Sequence, residues 1–289
     1  MIETRNPFFS VVVPTYERPN DLKICLESLS MEKQEFAPSY ELIVTDDSYS
    51  NFSRELVEKL YPNVAWGKGK QNGPAGNRNA GVQRAKGEWI VFLDDDCIAQ
   101  SNYLNAYYRA IKENPKVLVF EGRIFADRPR RTWAEGCPEN EYGGMLWTSN
   151  LCVNRMLYNE IGGLDERFEV AYEDVDFAYR LRARGNEVIF VEKASVCHPW
   201  RSLRQGGKNW KRKGYELESL TNFLHKHPAC IYTHGSPRTY LRHFARMLTK
   251  DLLYCLMHLK GRGLDILFSQ AINSLKVAWH VRNIGGKSS

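Results

Sequence analysis

Over roughly its first 95 residues the chain alternates short β-branched runs with helical patterns, and three of those runs stop against a turn of fixed chemistry. FFSVVV (8–13) meets Pro14, YELIVT (40–45) meets Asp46-Asp47, and EWIVFL (88–93) meets Asp94-Asp95-Asp96. Between them, NDLKICLESLS (20–30) sets Leu22, Cys25, Leu26 and Leu29 at helical spacing behind Asn20, a capping candidate. SNFSRELVEKLY reads as a second helix and NVAWG as a short third strand. PAGNRNAGVQRAK (74–86) reads as a Gly/Asn-rich turn entering a helix that Gly87 ends. Strand–helix alternation of this kind predicts a parallel sheet with right-handed crossovers. In such sheets ligands collect at the carboxyl ends of the strands. Pro14-Thr15-Tyr16-Glu17, Asp46-Asp47 and the acid triplet would then share one rim.

Further along, 102–113 reads as a helix, 117–125 as a strand and 126–147 as a long irregular loop with Pro129 and Pro138. SNLCVNR is strand-like, and RMLYNEIGGLDERF is a helix followed by a Gly-Gly turn. AYEDVDFAYRLRARGN is a helix with acids at its N-terminus, and EVIFVEKASVCHPW is a strand and its exit. Residues 199–215 are basic and Gly-containing and read as a mobile loop. The tail from about 237 to 283 reads as basic, amphipathic helix. The expected organisation is a catalytic domain at 1–200, whose halves meet near 97, a basic loop and linker at 201–236, and a helical extension at 237–289.

The net charge of +6 is unevenly spread. Residues 1–197 hold 24 Lys and Arg against 30 Asp and Glu, and residues 198–289 hold 16 against 4. A basic end suggests phosphate-rich partners: a nucleotide diphosphate, anionic headgroups or nucleic acid. Seven scattered cysteines without a CxxC argue against a disulfide framework or zinc site, and for free thiols in a reducing cytosol. No stretch approaches a membrane span, and MIETRNPFFSVVVP lacks a basic leader and a cleavage site, so no signal peptide is expected.

Adjacent carboxylates at a strand end call for a cation. Mg²⁺ or Mn²⁺ takes hard oxygens, typically one or two carboxylates with substrate phosphates completing the shell. On a continuing strand Asp94 and Asp96 would point to the same side. A D-x-D pair alone also fits a solvated acidic turn.

The ordered set VVVPTYERP, IVTDDS, GNRNAGVQRAKGEWIVFLDDD, GGLDERFEVAYEDVDFAYRLRARGNEVIF and VCH resembles the family 2 glycosyltransferases over residues 8–200. The resemblance implies the glycosyltransferase A fold, a Rossmann-like, mostly parallel α/β sheet flanked by helices. It implies an inverting, metal-dependent enzyme of the bacterial surface-polysaccharide type. Such an enzyme moves a sugar from a nucleotide sugar, commonly a UDP-sugar, to a saccharide or lipid-linked saccharide hydroxyl. Pro14, Thr15, Tyr16 and Glu17 match the segment along base and ribose, Asp47 the acid that bonds the base, and Arg78 an arginine near base and phosphates. Asp94 and Asp96 match the metal motif, with Asp96 the direct ligand, Asp94 the ribose or water-mediated partner, and Asp95 open in role. Glu173-Asp174 match the pair whose aspartate is the catalytic base. His198 matches a histidine that reaches the metal or diphosphate. Trp147 and Asn150 fall where the family contacts sugar or acceptor. Arg201 and Arg204 lie on a basic loop that could close over the phosphates, with Lys208, Lys211 and Arg212.

Other readings stand beside these. Glu173, Asp174 and Asp176 suit a helix N-terminus, Asp46 a helix cap, His198 a structural position, and Trp147 to Asn150 a buried strand. The tail can pack on the body, oligomerise, or lie on an anionic membrane from the cytoplasmic side. A sugar-nucleotide nucleotidyltransferase would carry a Gly-rich signature and lysine near the first strand, and VVVPTYERPN has neither. A basic nucleic-acid-binding protein draws on the charged end, but no nucleic-acid module pattern appears and no nucleic-acid partner is expected. A degenerate, non-catalytic relative would not need Asp94, Asp96 and Asp174 intact.

Overall fold

The computed structural model describes residues 6–36, 38–203, 209–231 and 236–285. They form two compact units, one of 1–127 and 138–199, the other of 128–137 and 200–289.

In chain order the first unit contains β1 (Phe9–Thr15), α1 (Pro19–Ser28), β2 (Tyr40–Asp46), α2 (Phe52–Leu60), β3 (Ala65–Lys68), α3 (Pro74–Arg84) and β4 (Trp89–Leu93). β5 (Ile98–Ala99), α4 (Tyr103–Glu113) and β6 (Val119–Ala126) follow. The chain then visits the second unit through β7 (Glu135–Gly136). It returns for β8 (Asn150–Asn154), α5 (Arg155–Ile161), α6 (Glu173–Ala183) and β9 (Ile189–His198). The sheet order is β3-β2-β1-β4-β8-β6-β9-β5. β3, β2, β1 and β4 run parallel, as the alternation requires. β8 is antiparallel to both β4 and β6, β6 and β9 are parallel, and β5 closes the edge antiparallel to β9.

β4 is apolar throughout, and β1 is apolar from Phe9 to Val13 except for buried Ser10, because both faces are covered. Val11, Val13, Val91 and Leu93 enter one core with Leu22, Leu26, Tyr103 and Tyr107 of α1 and α4. Val12, Ile90 and Phe92 enter the other, with Ala75, Leu157, Phe177 and Leu181 of α3, α5 and α6. Successive side chains alternate between the two cores because strand periodicity is two.

Several local expectations are corrected. Pro14 does not end β1, which continues in register with β2 through Thr15↔Asp46. Pairing with β4 stops at Val12↔Phe92, so the missing proline N–H falls where β1 has become an edge on that side. α1 starts at Pro19 with Arg18 as N-cap, not Asn20, because proline at the first helical position fixes the start. Asp46 is no helix cap. It ends β2, and its Oδ1 accepts from Ser48 N at 2.8 Å, well ahead of α2.

The second unit contains β7, β10 (Arg201–Ser202), α7 (Asn209–Lys226), a 3₁₀ turn, α8 (Pro237–Arg246), a π turn at Met247–Asp251, α9 (Leu252–His258) and α10 (Leu264–Gly285). β10 pairs antiparallel with β7. Trp133, Cys255, Leu259 and Leu267 make a small core, and Trp133 Nε1 donates to Gln270 Oε1 at 2.8 Å. A helix begins at Asn209, inside the stretch read as a loop. No helix among the described residues is long and apolar enough to cross a membrane. All seven cysteines are free thiols.

Candidate active site

β4 stops at Leu93 and does not carry the acids onward as a strand. The triplet is a turn, closed by Cys97 N donating to Asp94 O at 3.1 Å. Asp94 and Asp96 therefore diverge. Asp94 Oδ1 accepts from Arg78 Nη2 at 2.5 Å. Asp95 accepts from Thr15 Oγ1 at 2.7 Å and from Arg18 Nη1 at 3.3 Å. Asp96 accepts from the same Arg18 nitrogen at 3.0 Å, and its other oxygen lies 3.2 Å from His198 Nε2. Short β5 explains the last contact: Ile98 pairs with Cys197, which draws the end of the turn beside the end of β9.

The His198 ring contact is informative about charge. Its Nδ1 is 2.8 Å from Pro199 O. A carbonyl only accepts, so Nδ1 carries the proton, and a neutral ring turns the Nε2 lone pair toward the Asp96 carboxylate. Two acceptors facing each other need a proton or a cation between them. Asp96, Cys97 and His198 bring their ligand atoms within 4.8 Å of one another. Burial, reinforced by Asp94 and Asp96, pushes the Cys97 thiol well up, so it stays protonated. The ligands left are one hard oxygen and one imidazole nitrogen, a pair that could hold a divalent cation with phosphates and water completing the shell.

α3 ties this turn to α6 through consecutive residues. Asn77 Nδ2 donates to Thr15 O at 3.2 Å. Buried Arg78 splits its fork, giving Nη2 to Asp94 and Nη1 to Glu173 Oε1 at 3.4 Å. Both terminal nitrogens are thus spent on acids. Asn79 Nδ2 donates to Leu164 O and to Glu166 Oε1, both at 2.9 Å. Glu166 also accepts from Asn72 at 2.8 Å and Lys70 at 2.6 Å. The Gly-Gly-Leu-Asp-Glu segment is thereby fixed to α3, with Gly162 and Gly163 in the left-handed region where the chain reverses after α5. Gly73, also left-handed, is required sterically: a Cβ there would lie 2.0 Å from Glu169 O.

α6 begins behind Tyr172, a non-glycine residue held at φ 77°. Glu173 is buried on Arg78, and Asp174 is half-buried, with Oδ1 accepting from Val175 N at 2.7 Å. Burial pushes both carboxyls above their usual range, and in Glu173 the neighbouring Asp174 charge adds to it. Burial also raises Asp95 to about 7, against the pull of Arg18. Asp94, Asp95, Asp96, Glu173 and Asp174 share two guanidiniums here, an imbalance that protonation of the raised carboxyls or a divalent cation offsets. Asp176 stands apart, paired with Arg180 at 2.7 Å, whose other nitrogens bond the carbonyls of Ile161 and Gly163.

On the β1–β2 side, Asp47 is buried and accepts from Gln71 N at 2.9 Å, and burial raises its carboxyl. Glu17 spends its carboxylate on Tyr49 N, Ser50 N and Ser50 Oγ at 2.8, 3.0 and 2.5 Å, so it fixes the following loop. Exposed Tyr16 meets exposed Tyr49 edge-on with centroids 6.4 Å apart.

Asn150 is a core residue. Its Oδ1 accepts from Tyr103 and Tyr107, and its Nδ2 donates to Arg123 O and Ala194 O, both at 2.9 Å. Those carbonyls flank the register shift between Gly122 and Arg123, so Asn150 satisfies the bulge between β6 and β9. Trp147 is half-buried against the first core. Arg201 belongs to the second unit, and Arg204 lies outside the described residues.

Sequence reasoning missed Arg18, Asn79, Glu166 and Glu121. Buried Glu121 accepts from Asn140 Nδ2 at 3.2 Å and from the backbone N–H groups of Gly144, Met145 at 3.1 Å and Leu146 at 2.9 Å. An acid inside the apolar run VLVFEGRIF was the available signal.

The model of the family described as "Glycosyl transferase family 2" matches residues 10–182, more than half of the chain. An uncharacterized glycosyltransferase of Haemophilus influenzae is 28% identical over 188 residues, 60% of this chain and 61% of that protein. The poly(ribitol-phosphate) β-N-acetylglucosaminyltransferase TarS of Staphylococcus aureus is 34% identical over 139 residues, 45% of this chain and 24% of TarS. The chain thus spans less than two thirds of either relative. The structure of TarS 1–349 in complex with UDP superposes with a TM-score of 0.56 at 19% identity, covering 97% of this chain and 92% of that one. The mannosyltransferase PcManGT of Pyrobaculum calidifontis, in complex with GDP-Man and Mn²⁺, gives 0.56 at 17% identity, covering 99% and 77%. At these identities the two structures speak to the fold alone. The chain belongs to glycosyltransferase family 2 and has the glycosyltransferase A fold.

Proposed function

We propose that the protein is an inverting, metal-dependent glycosyltransferase that takes a nucleotide sugar, a UDP-sugar by preference, and glycosylates a hydroxyl of a saccharide or lipid-linked saccharide. The observation that carries this is the convergence of Asp94–Asp96, His198 and Glu173-Asp174 at the carboxyl ends of β4 and β9 and the start of α6. The UDP complex of TarS supports the donor class, and the Mn²⁺ complex of PcManGT supports the metal. The name of TarS, a poly(ribitol-phosphate) β-N-acetylglucosaminyltransferase, also supports a polymeric acceptor.

Asp96 and His198 would hold the divalent ion, which when bound offsets charge on the leaving diphosphate. Asp47 and the Pro14–Glu17 segment at the end of β1 receive the nucleoside, with Glu17 holding the loop that carries Tyr49. Arg78 neutralises Asp94 and fixes Glu173, leaving Asp174 as the carboxylate able to accept a proton. The acceptor oxygen attacks the anomeric carbon from the face opposite the diphosphate. Its proton passes to Asp174, the carbon–oxygen bond to the diphosphate breaks, and the configuration inverts. Asn150 takes no part, since its bonds are spent inside the sheet.

The test is nucleoside-diphosphate release from a panel of UDP-, GDP- and dTDP-sugars with and without saccharide acceptors. Acceptor-stimulated UDP release, lost in Asp174→Asn, is expected. Release that Asp174→Asn leaves unchanged would overturn the assignment of the base.

A further inference from the structure

α10 carries an apolar arc wider than the stripe it buries, with Ser269, Asn273, Lys276 and His280 on the remaining face. Leu267, Ala271, Ser274, Val277 and Val281 form a buried stripe at helical spacing, and α8 is packed against α10 within the same unit. A second stripe, Phe268, Ile272, Leu275 and Trp279, recurs at steps of four, three and four on the outer side, with Ile272 53% and Trp279 68% exposed. α9 repeats the arrangement: Cys255 is buried while Leu253, Leu256 and Met257 face out, Met257 at 67%. An apolar arc that runs beyond the buried stripe onto exposed positions presents that surplus to another apolar phase.

The charges along the segment that carries these helices select the phase. Residues 236–285 carry eight Lys and Arg against two acids, Asp251 and Asp265. Arg238, Arg242, Arg246, Lys250, Lys260, Arg262 and Arg282 are exposed. A second copy docking through this segment would bring two surfaces of the same positive sign together. An anionic bilayer instead offers phosphates to the cations and an acyl boundary to the apolar stripe. With no helix among the described residues long and apolar enough to span, the geometry proposed is adsorption in the plane of the interface.

We propose that the outer faces of α9 and α10 are an interfacial docking surface for an anionic phospholipid bilayer. Met257, Ile272 and Trp279 enter the headgroup–acyl boundary, and the exposed arginines and lysines contact headgroup phosphates. This reading is independent of the transferase assignment, and its test does not use activity.

The full chain is sedimented with vesicles of phosphatidylcholine alone and of phosphatidylcholine with about one third phosphatidylglycerol. Anionic vesicles are expected to bind at least about tenfold more tightly than neutral ones, and added salt is expected to weaken that binding. The double variant Ile272→Glu/Trp279→Glu is expected to lose at least about tenfold in affinity, with its melting temperature retained because both positions are exposed. Ile272→Ser/Trp279→Ser should lose less, since it removes apolar contact without adding repulsion. No vesicle binding, equal binding to both vesicle types, or unchanged binding by the Glu variant would each overturn the proposal. So would a concentration-dependent dimer in light scattering that Ile272→Glu disrupts, which would assign the face to a second copy.

Discussion

Arg78 Nη1 lies 3.4 Å from Glu173 Oε1, and the same buried guanidinium holds Asp94 through Nη2. One side chain on α3 therefore joins the end of β4 to the start of α6. Removing one partner of a buried ion pair costs about 3–5 kcal/mol, because the others stay buried and uncompensated. Arg78→Ala is expected to lower the melting temperature by about 10 °C. Arg78→Lys should recover only part of this, since a single ammonium lacks the fork that reaches both acids. Thermal denaturation of the three proteins checks it.

The raised carboxyls set a pH limit. Asp174 accepts a proton only when ionised, and burial holds its pKa above the ordinary aspartate range. The acid limb of kcat/KM should therefore fall at higher pH than a free carboxylate would give. Asp174→Asn should reduce kcat by about a thousandfold and remove that limb from the residual rate. A pH–rate profile of both proteins is the measurement.

Asp95 makes a prediction about stability with the opposite sign to an ordinary salt bridge. Its folded pKa is raised to about 7 by burial, from about 4 in the unfolded chain. The folded state therefore favours the protonated acid. Stability from this group is fully present below about pH 4 and is lost as pH rises toward about 7. Asn cannot titrate, so the stability of Asp95→Asn relative to wild type should increase across that window. Denaturant midpoints at pH 5 and pH 8 decide it; a difference that stays flat or falls contradicts the account.

Much of the fold was legible because strand patterning and the chemistry of strand ends are local signals. The parallel running of β1 to β4 and the rim of Thr15, Asp47 and the acids follow from alternation, whereas the order β3-β2-β1-β4 does not. What was not legible depends on long-range pairing. Asp96 reaches His198 only because two-residue β5 pairs with β9. Arg18 has no periodic signature and earns its place only by facing Asp95 and Asp96. Asn150 looked like a ligand contact, and only the bulge between β6 and β9 reveals why an amide is needed there. The passage of 128–137 into the second unit has no marker in composition.

Glu121 offers a further check on what holds the 140–146 loop. Its carboxylate collects backbone N–H groups of Gly144, Met145 and Leu146, and Arg182 Nη2 donates to Gly144 O at 2.8 Å. Glu121→Ala leaves those donors without their acceptor, a loss of about 2–3 kcal/mol. Amide exchange at these three residues should accelerate at least about tenfold, while Val11 and Val91 in the central strands change little.

The most direct measurement is calorimetric titration of UDP into wild type and Asp96→Ala, each with Mn²⁺ and with EDTA. The account predicts metal-dependent binding by wild type that Asp96→Ala weakens by at least about tenfold. UDP binding of equal strength with EDTA, or unchanged by Asp96→Ala, would contradict it.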